Sequence, residues 1–378
     1  MKQFTDQPIG CRTKVEQMWG KRRDMTVRDR SPFNAEPPAS VLASAEITAL
    51  DAFYSRNHGP FPDIARDQWR LEVDGLIDTP LTLTYDQLIS RFTPVSVVAT
   101  LACAGNRRAE LLNVRPIPGK DPWAHGAIST AEWRGARLAD VLQAAGVHHD
   151  DSLHVAFSAP DVAQEALPVQ AYGSSIPLSK AMSREVLLAW EMNSEPLPRV
   201  HGGPVRVVVP GYIGARSVKW VNAVTVQSGP SQNYFQASDY RILPPDADPD
   251  TAAPGDGISL SSLPLNCDIL VPGDDEQVPA GPLRISGWAL AGDGRGIGRV
   301  DVSLDGGGTW RQADLQPATS QWAWRLWSLT VDARPGPISV TARAWDETGV
   351  TQPESPAHLW NPRGYGNNAW AHVKAFAK

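Results

Sequence analysis

The sequence predicts an α+β protein in two parts, a mixed α/β part followed by a β-sandwich. Three observations predict it. Up to about residue 240, segments of period-two alternation are interspersed with short helical ones. A stretch rich in Pro, Gly and Asp at 244–257 then breaks the pattern, as a linker does. Beyond it, only short strands and turns follow at regular spacing, the signature of a sandwich. The divisions expected are a tail at 1–30, a mixed unit at 31–260 and a β unit at 261–378.

The elements follow in order. Residues 1 to about 30 are polar and charged and read as a tail. Pro32 to Pro38 is a stiff extended segment, and Tyr54-Ser55-Arg56-Asn57-His58 leads into a Gly-Pro turn. Trp69 to Leu76 alternates with period two and ends near a turn glycine, so it reads as a strand, as does Leu81 to Thr84. Tyr85 to Phe92 is a short helix, and Val97 to Ala102 a buried strand. A Pro- and Gly-rich loop, 116–126, carries Trp123. Leu138 to Ala145 is a helix closed by Gly146. His148 to Asp151 is a polar surface turn, because adjacent side chains rarely converge on one ion. Asp161 falls in the loop after a strand at 154–157. A buried strand and turn end near Asn193, and a Val-rich strand follows His201-Gly202-Gly203. Past the linker, strands are expected at 283–289, 299–304, 322–331 and 338–345, with a hairpin turn at Asp305 to Gly308. Glycines at 292–298 lack GxGxxG spacing and no helix follows, which excludes a dinucleotide loop there.

Composition narrows the function. Hydrophobic content of 42% with 20% charged residues is that of a soluble globular protein. A net charge of -6 gives no electrostatic basis for binding nucleic acid or an anionic membrane. No apolar run reaches 18 residues and no secretory signal is read, so a cytoplasmic location is expected. Cys11, Cys103 and Cys267 are far apart and form neither CxxC nor CxxCH, so zinc, a disulfide framework and covalent haem are not indicated.

The chemistry centres on Cys103-Ala104-Gly105-Asn106-Arg107-Arg108. A strand end presents a thiol, a soft metal ligand, beside two guanidiniums that favour the thiolate and bind oxyanions. Downstream, Arg206, Arg216 and Lys219 lie among glycine turns and suit an anionic ligand with a phosphate.

The Cys103 motif resembles the molybdenum-ligating motif of sulfite oxidases and eukaryotic nitrate reductases, and further matches run from about Pro32 to Val373. The haem-free, plant-type sulfite oxidases are the subgroup resembled. This implies a molybdopterin domain of the sulfite oxidase fold, followed by an immunoglobulin-like sandwich that dimerises. It implies molybdenum held by molybdopterin and by Cys103. Tyr54, Ser55, Arg56, Asn57, His58, Asp161, His201, Arg206, Ser217, Val218 and Lys219 would hold the pterin. Arg56, Arg108 and Arg363 would surround sulfite, with Trp123 and Tyr240 lining the pocket. Val200 and Gly203 depart from the family's usual Asp and Phe. An arginine at 363 favours sulfite over nitrate. With no haem or flavin module in view, re-oxidation is expected to use oxygen or a separate acceptor such as a cytochrome. Nitrate reduction on the same fold and a molybdopterin-binding protein without turnover are the rival readings.

Overall fold

A computed structural model describes residues 18–148 and 150–378. Cys11 and His149 lie outside the described residues.

The mixed part is built on two five-stranded sheets. In the first, Pro94–Ala102, Ile128–Arg137, Leu187–Met192 and Glu195–Pro196 run antiparallel, and Arg206–Val208 also pairs with Leu187–Met192. In the second the order is Leu81–Thr84, Arg70–Gly75, Ala223–Ser228, Leu153–Ala163, Gln170–Pro177. Ala223–Ser228 is parallel to Arg70–Gly75, and the other neighbours are antiparallel. Period two is visible in Arg70–Gly75, where Leu71 and Val73 are buried and Arg70, Glu72 and Asp74 exposed. Gly75 is obligatory: its φ is +91°, and a Cβ there would lie 2.1 Å from the Val226 carbonyl oxygen. Helices are few and short. Tyr85–Arg91 is started by a capping box between Thr84 and Gln87. Among the described residues no helix is long and apolar enough to cross a membrane.

The last part has two sheets around one apolar core. Asn266–Val271, Gly281–Leu290, Arg325–Ala333 and Asp314–Leu315 form one sheet. Glu276–Val278, Ala371–Ala377, Gly336–Asp346, Ile297–Ser303 and Arg311–Gln312 form the other. Cys267, Ile285 and Trp327 from the first meet Val300, Val340 and Val373 from the second.

The structure corrects several expectations. Residues 18–30 are not a free tail. Thr26–Arg30 pairs with Phe33–Glu36, and Met25 packs with Phe33, Ala35 and Val200. Asp161 is inside the strand Leu153–Ala163, at a break in its register between Ser158 and Val162, rather than in a loop. A helix missed from the sequence, Arg108–Val114, follows the cysteine turn. The expected strand at 322 begins at Arg325, and Trp322 instead caps the free edge of Pro94–Ala102, accepting a bond from Thr100 N at 2.9 Å. The linker-like stretch is tied at both ends by pairing of Arg241–Ile242 with Ile258–Ser259.

A polar seam joins the cysteine turn to the C-terminal part. Arg107 is fully buried and donates to Asn266 Oδ1, the carbonyls of Cys267 and Ala369, and both oxygens of Glu110. Beside it, His125 Nδ1 lies 2.9 Å from Asp268 Oδ2, and that carboxylate pushes the histidine up to about 9. Its folded pKa thus lies above its unfolded value. The pair's stabilisation is full below about pH 6.5 and is lost as pH rises through about 9. With the ring partly exposed, a loss of about 2 kcal/mol is expected. Tm should fall between pH 6.5 and 9.5, and His125→Gln should flatten that slope. An equal slope in both proteins would remove His125 as its source.

Candidate functional site: a thiol between a cationic pocket and an outer cleft

Cys103 ends the strand Pro94–Ala102, fixed by its N–H to the Ala127 carbonyl at 2.8 Å. The chain then turns tightly, with Asn106 N donating to the Cys103 carbonyl at 3.0 Å and Arg107 in the left-handed region at φ 61°. Gly105 lets the Arg108 guanidinium lie close, because a Cβ here would sit 2.2 Å from Arg108 Nη2 and push that side chain aside. This fold-back aims Arg107 into the seam and turns Arg108 toward the thiol's side. Arg108 is held by the carbonyls of Gly364 and Asp121 at 2.9 and 2.8 Å. Burial pushes the Cys103 thiol up, against the pull of Arg108, Arg56 and the Gly105 N–H. In the protein alone the expected cationic lowering therefore loses to desolvation, and a metal must displace the proton.

Two cavities meet at Cys103. The inner one is lined by Tyr54, Asn57, Asp161, His201, Arg206, Ser217 and Lys219. The outer cleft, of about 310 Å³, is lined by Arg108, Lys120, Asp121, Glu165 and Tyr365. Arg56, His58, Cys103 and Tyr240 line both. Ser55 and Val218 are buried but line neither.

The inner pocket is a cluster of buried cations. Burial, with Arg206 nearby, drives Lys219 well below its ordinary pKa, and burial brings Arg206 down to about 10. His201 is held well below its usual value by burial, then by Lys21, Lys219 and Arg206. Asp161, the carboxylate on this wall, is itself pushed up to about 7 by burial. Such a pocket lacks negative charge. Arg206 bonds the carbonyls of His201 and Ser217 at 2.9 and 2.8 Å, which aims it without neutralising it. At Gly214 a Cβ would approach the Tyr54 hydroxyl to 2.8 Å, so the missing side chain lets that tyrosine pack close against the chain. Asp161 Oδ1 is buried with no hydrogen-bond partner.

At the junction, His58 Nδ1 bonds Glu165 and His58 Nε2 lies 2.8 Å from the Tyr240 hydroxyl. Burial and Arg56 bring His58 down to about 4, so it is neutral at pH 7. Burial pushes Tyr240 well up, so it stays a phenol. For Glu165 burial pushes up, but the His58 bond and the charge of Arg56 outweigh it and hold it at about 2.

Two expected cleft residues stand elsewhere. Trp123 lines neither cavity and is wholly buried in the cluster of Phe53, Cys103 and Ala127. Its bulk is used in packing behind the thiol. Arg363 also lines neither cavity, and its Nη1 lies 3.2 Å from Asp239 Oδ1. That buried carboxylate also takes Lys120 at 2.7 Å and the Tyr365 hydroxyl at 2.9 Å. Lys120 and Tyr365 were missed in the sequence. A lysine in a Pro-Gly loop and a tyrosine between glycines carry no periodic signal.

The site's parts match known proteins along most of the chain. Residues 58–235 match the family model described as oxidoreductase molybdopterin binding domain, and residues 258–377 the Mo-co oxidoreductase dimerisation domain. Sulfite oxidase of Gallus gallus is 44% identical over 355 residues, spanning 92% of this chain and 76% of that one. This chain belongs to the sulfite oxidase family. Sulfite oxidase of Arabidopsis thaliana is 39% identical and is covered to 93% of its length. The chain spans 65% of the rat mitochondrial sulfite oxidase. The sulfane dehydrogenase SoxCD of Paracoccus pantotrophus superposes with a TM-score of 0.79 at 26% identity, over 99% of this chain and 96% of that one.

The family's cofactor is molybdenum carried by molybdopterin, and the residues fit it. A free thiol and a cationic pocket short of negative charge are what a phosphate-bearing dithiolene ligand needs. Among the described residues no group of three or more His, Cys, Asp or Glu side chains could hold a metal by itself. A sulfite oxidase site, in which the pterin shares ligation with one cysteine, has no use for such a group.

Proposed function

We propose that the protein oxidises sulfite to sulfate at the junction of the two cavities. The observation that carries this is Cys103 standing where a cationic inner pocket meets an outer cleft bearing Arg56, Arg108 and Lys120. His201, Arg206, Ser217 and Lys219 would hold the pterin, with Tyr54, Asn57, His58 and Asp161 along its wall, Ser55 and Val218 behind it, and Cys103 ligating the metal. When bound, the cofactor supplies the transferable oxygen and a two-electron redox couple.

The chain's own residues do the rest. Arg56 and Arg108 bind the dianion and orient its sulfur toward Cys103's side of the junction. Like charges about 4 Å apart repel by roughly 4 kcal/mol at an effective dielectric near 20, and an oxyanion relieves that. Arg363 joins them in this reading by leaving Asp239, which Lys120 and Tyr365 would still hold. Conversion of sulfite and water to sulfate releases two electrons and two protons. The chain Tyr240 Oη, His58 Nε2, His58 Nδ1, Glu165 leads from the junction to a half-exposed carboxylate and offers the protons a route out. In the same reading, 31–260 is the cofactor unit and 261–378 an immunoglobulin-like sandwich through which two copies form a homodimer. The name of the family model over 258–377 and the two facing sheets support that.

The test is sulfite-dependent ferricyanide reduction by protein of confirmed molybdenum content, with oxygen uptake followed in parallel. Turnover with oxygen uptake supports an oxidase, and turnover without it a dehydrogenase with a separate acceptor. No sulfite turnover in loaded protein overturns the substrate, and nitrate would be tried next. Arg56→Met should raise the sulfite KM by about 10- to 100-fold, the worth of a lost bond to a charged group. An unchanged KM would remove Arg56 from the anion site.

A further inference from the structure

Lys21 belongs to a charged run that carries no motif and lies outside the matched molybdopterin domain. Yet it is only 8% exposed. Its Nζ lies 2.6 Å from the Leu50 carbonyl, 2.7 Å from the Phe53 carbonyl and 2.6 Å from His201 Nε2. Two carbonyls and one imidazole nitrogen match the three protons of an ammonium. The segment around it grips the same loop from both sides. Trp19 packs edge-on against Phe61 at 4.3 Å, and the Arg199 guanidinium lies 5.5 Å from the Trp19 ring. Met25, Phe33 and Ala35 enclose Val200. Residues 199–201, the short turn that ends in His201, are thus held by the N-terminal segment on one side and by Lys219 and Trp220 on the other.

We infer that residues 19–36 form a clamp on the His201 turn, and that Lys21 is a positioning residue that sets this histidine for a phosphate-bearing pterin in the inner pocket. This rests on the reading that the inner pocket takes the pterin. The argument is one of geometry. The Leu50 and Phe53 carbonyls can only accept, so Lys21 must donate to both. As an ammonium, Lys21 then has its third proton for His201 Nε2, which accepts it in that pairing. His201 also lines the inner pocket, so a ligand there and the clamp meet on one side chain. Burying a further cation beside Lys219 and Arg206 is costly without an anion. The clamp should accordingly be tighter in loaded protein than in cofactor-free protein.

Wild type, Lys21→Met and Lys21→Arg would be purified as holoenzymes and diluted, and pterin release followed by its fluorescence. The methionine variant should release pterin about tenfold faster, and the arginine variant should stay close to wild type. Equal release from wild type and the methionine variant overturns the inference. So does faster release matched by an equal loss of Tm in cofactor-free protein, which marks a residue of the fold only. Should the methionine variant not fold, hydrogen exchange of wild-type amides 19–30 decides, since loading must slow it and unchanged exchange overturns the clamp. A wild-type protein that holds no pterin at all would instead fail the reading beneath, and is told apart by that.

Discussion

Cys103→Ser is expected to leave pterin bound while cutting sulfite turnover per molybdenum atom by at least about 1,000-fold, equivalent to about 4 kcal/mol of barrier. The two halves of this result come from different residues. Retention depends on His201, Arg206, Ser217 and Lys219, whose side chains line the inner pocket and are untouched by the change. Turnover depends on the sulfur. Burial already raises the Cys103 thiol, so the less acidic serine hydroxyl in the same place stays protonated and is a hard, weak donor. The smaller oxygen also withdraws from the junction that Arg56, His58 and Tyr240 share with it. Metal and pterin content are measured beside kcat, so an empty protein is not mistaken for a slow one. Wild-type kcat in a fully loaded serine variant would sink the assignment of Cys103 as the metal ligand.

Arg107→Met should cost about 3–5 kcal/mol and lower Tm by roughly 5 °C. The guanidinium is wholly buried and ties together two parts of the chain more than 150 residues apart. Removing it leaves Glu110 and Asp268 without a cation that lies at 2.8 and 3.8 Å. It also strips the donor from the carbonyls of Cys267, Ala369 and Trp370. Buried carbonyls left without a donor account for most of the loss, since Asp268 keeps His125, Glu110 keeps Asn367 and methionine can fill much of the volume. Residue 107 keeps its left-handed backbone whichever side chain it carries, so the cysteine turn is strained as before. Calorimetry of the loaded protein measures the shift. A change below 2 °C would show that the seam does not bear on stability.

Much of the architecture was legible because it follows from periodicity. The alternation in Arg70–Gly75, the apolar run before Cys103 and the evenly spaced C-terminal strands all report burial on one face or both. The short helix expected at Tyr85 to Phe92 is present as Tyr85–Arg91. What was not legible depends on where a long side chain goes after its backbone is placed. Arg107 and Arg108 are neighbours of one type, yet one enters the seam and the other the cleft, a split made by the left-handed turn between them. Lys21 looks like any solvated lysine until its three acceptors, from residues 50, 53 and 201, are brought to it by the fold. Trp123 and Arg363 were placed by analogy, and the structure gives each a local partner that spacing could not reveal: a packed core for one and Asp239 for the other. The Asp161 strand was cut short because Ser158, Pro160 and Asp161 are residues of turns, although burial alternates from Phe157 to Ala163.

The sharing of four residues by the two cavities sets an order of events. Charges about 8 Å apart interact by about 2 kcal/mol at an effective dielectric near 20, so neither compartment is electrically independent. With the inner pocket vacant, the charge of Arg206 adds to that of Arg56 and Arg108 and draws small dianions toward the junction. Filling the inner pocket quenches that pull and leaves the outer cleft with only the affinity of its own guanidiniums. Maturation is thereby expected to loosen the hold on anions in the outer cleft, which favours release of product. Sulfate and phosphate in the surroundings are, on this view, competitors of assembly before they are ever products or bystanders of turnover.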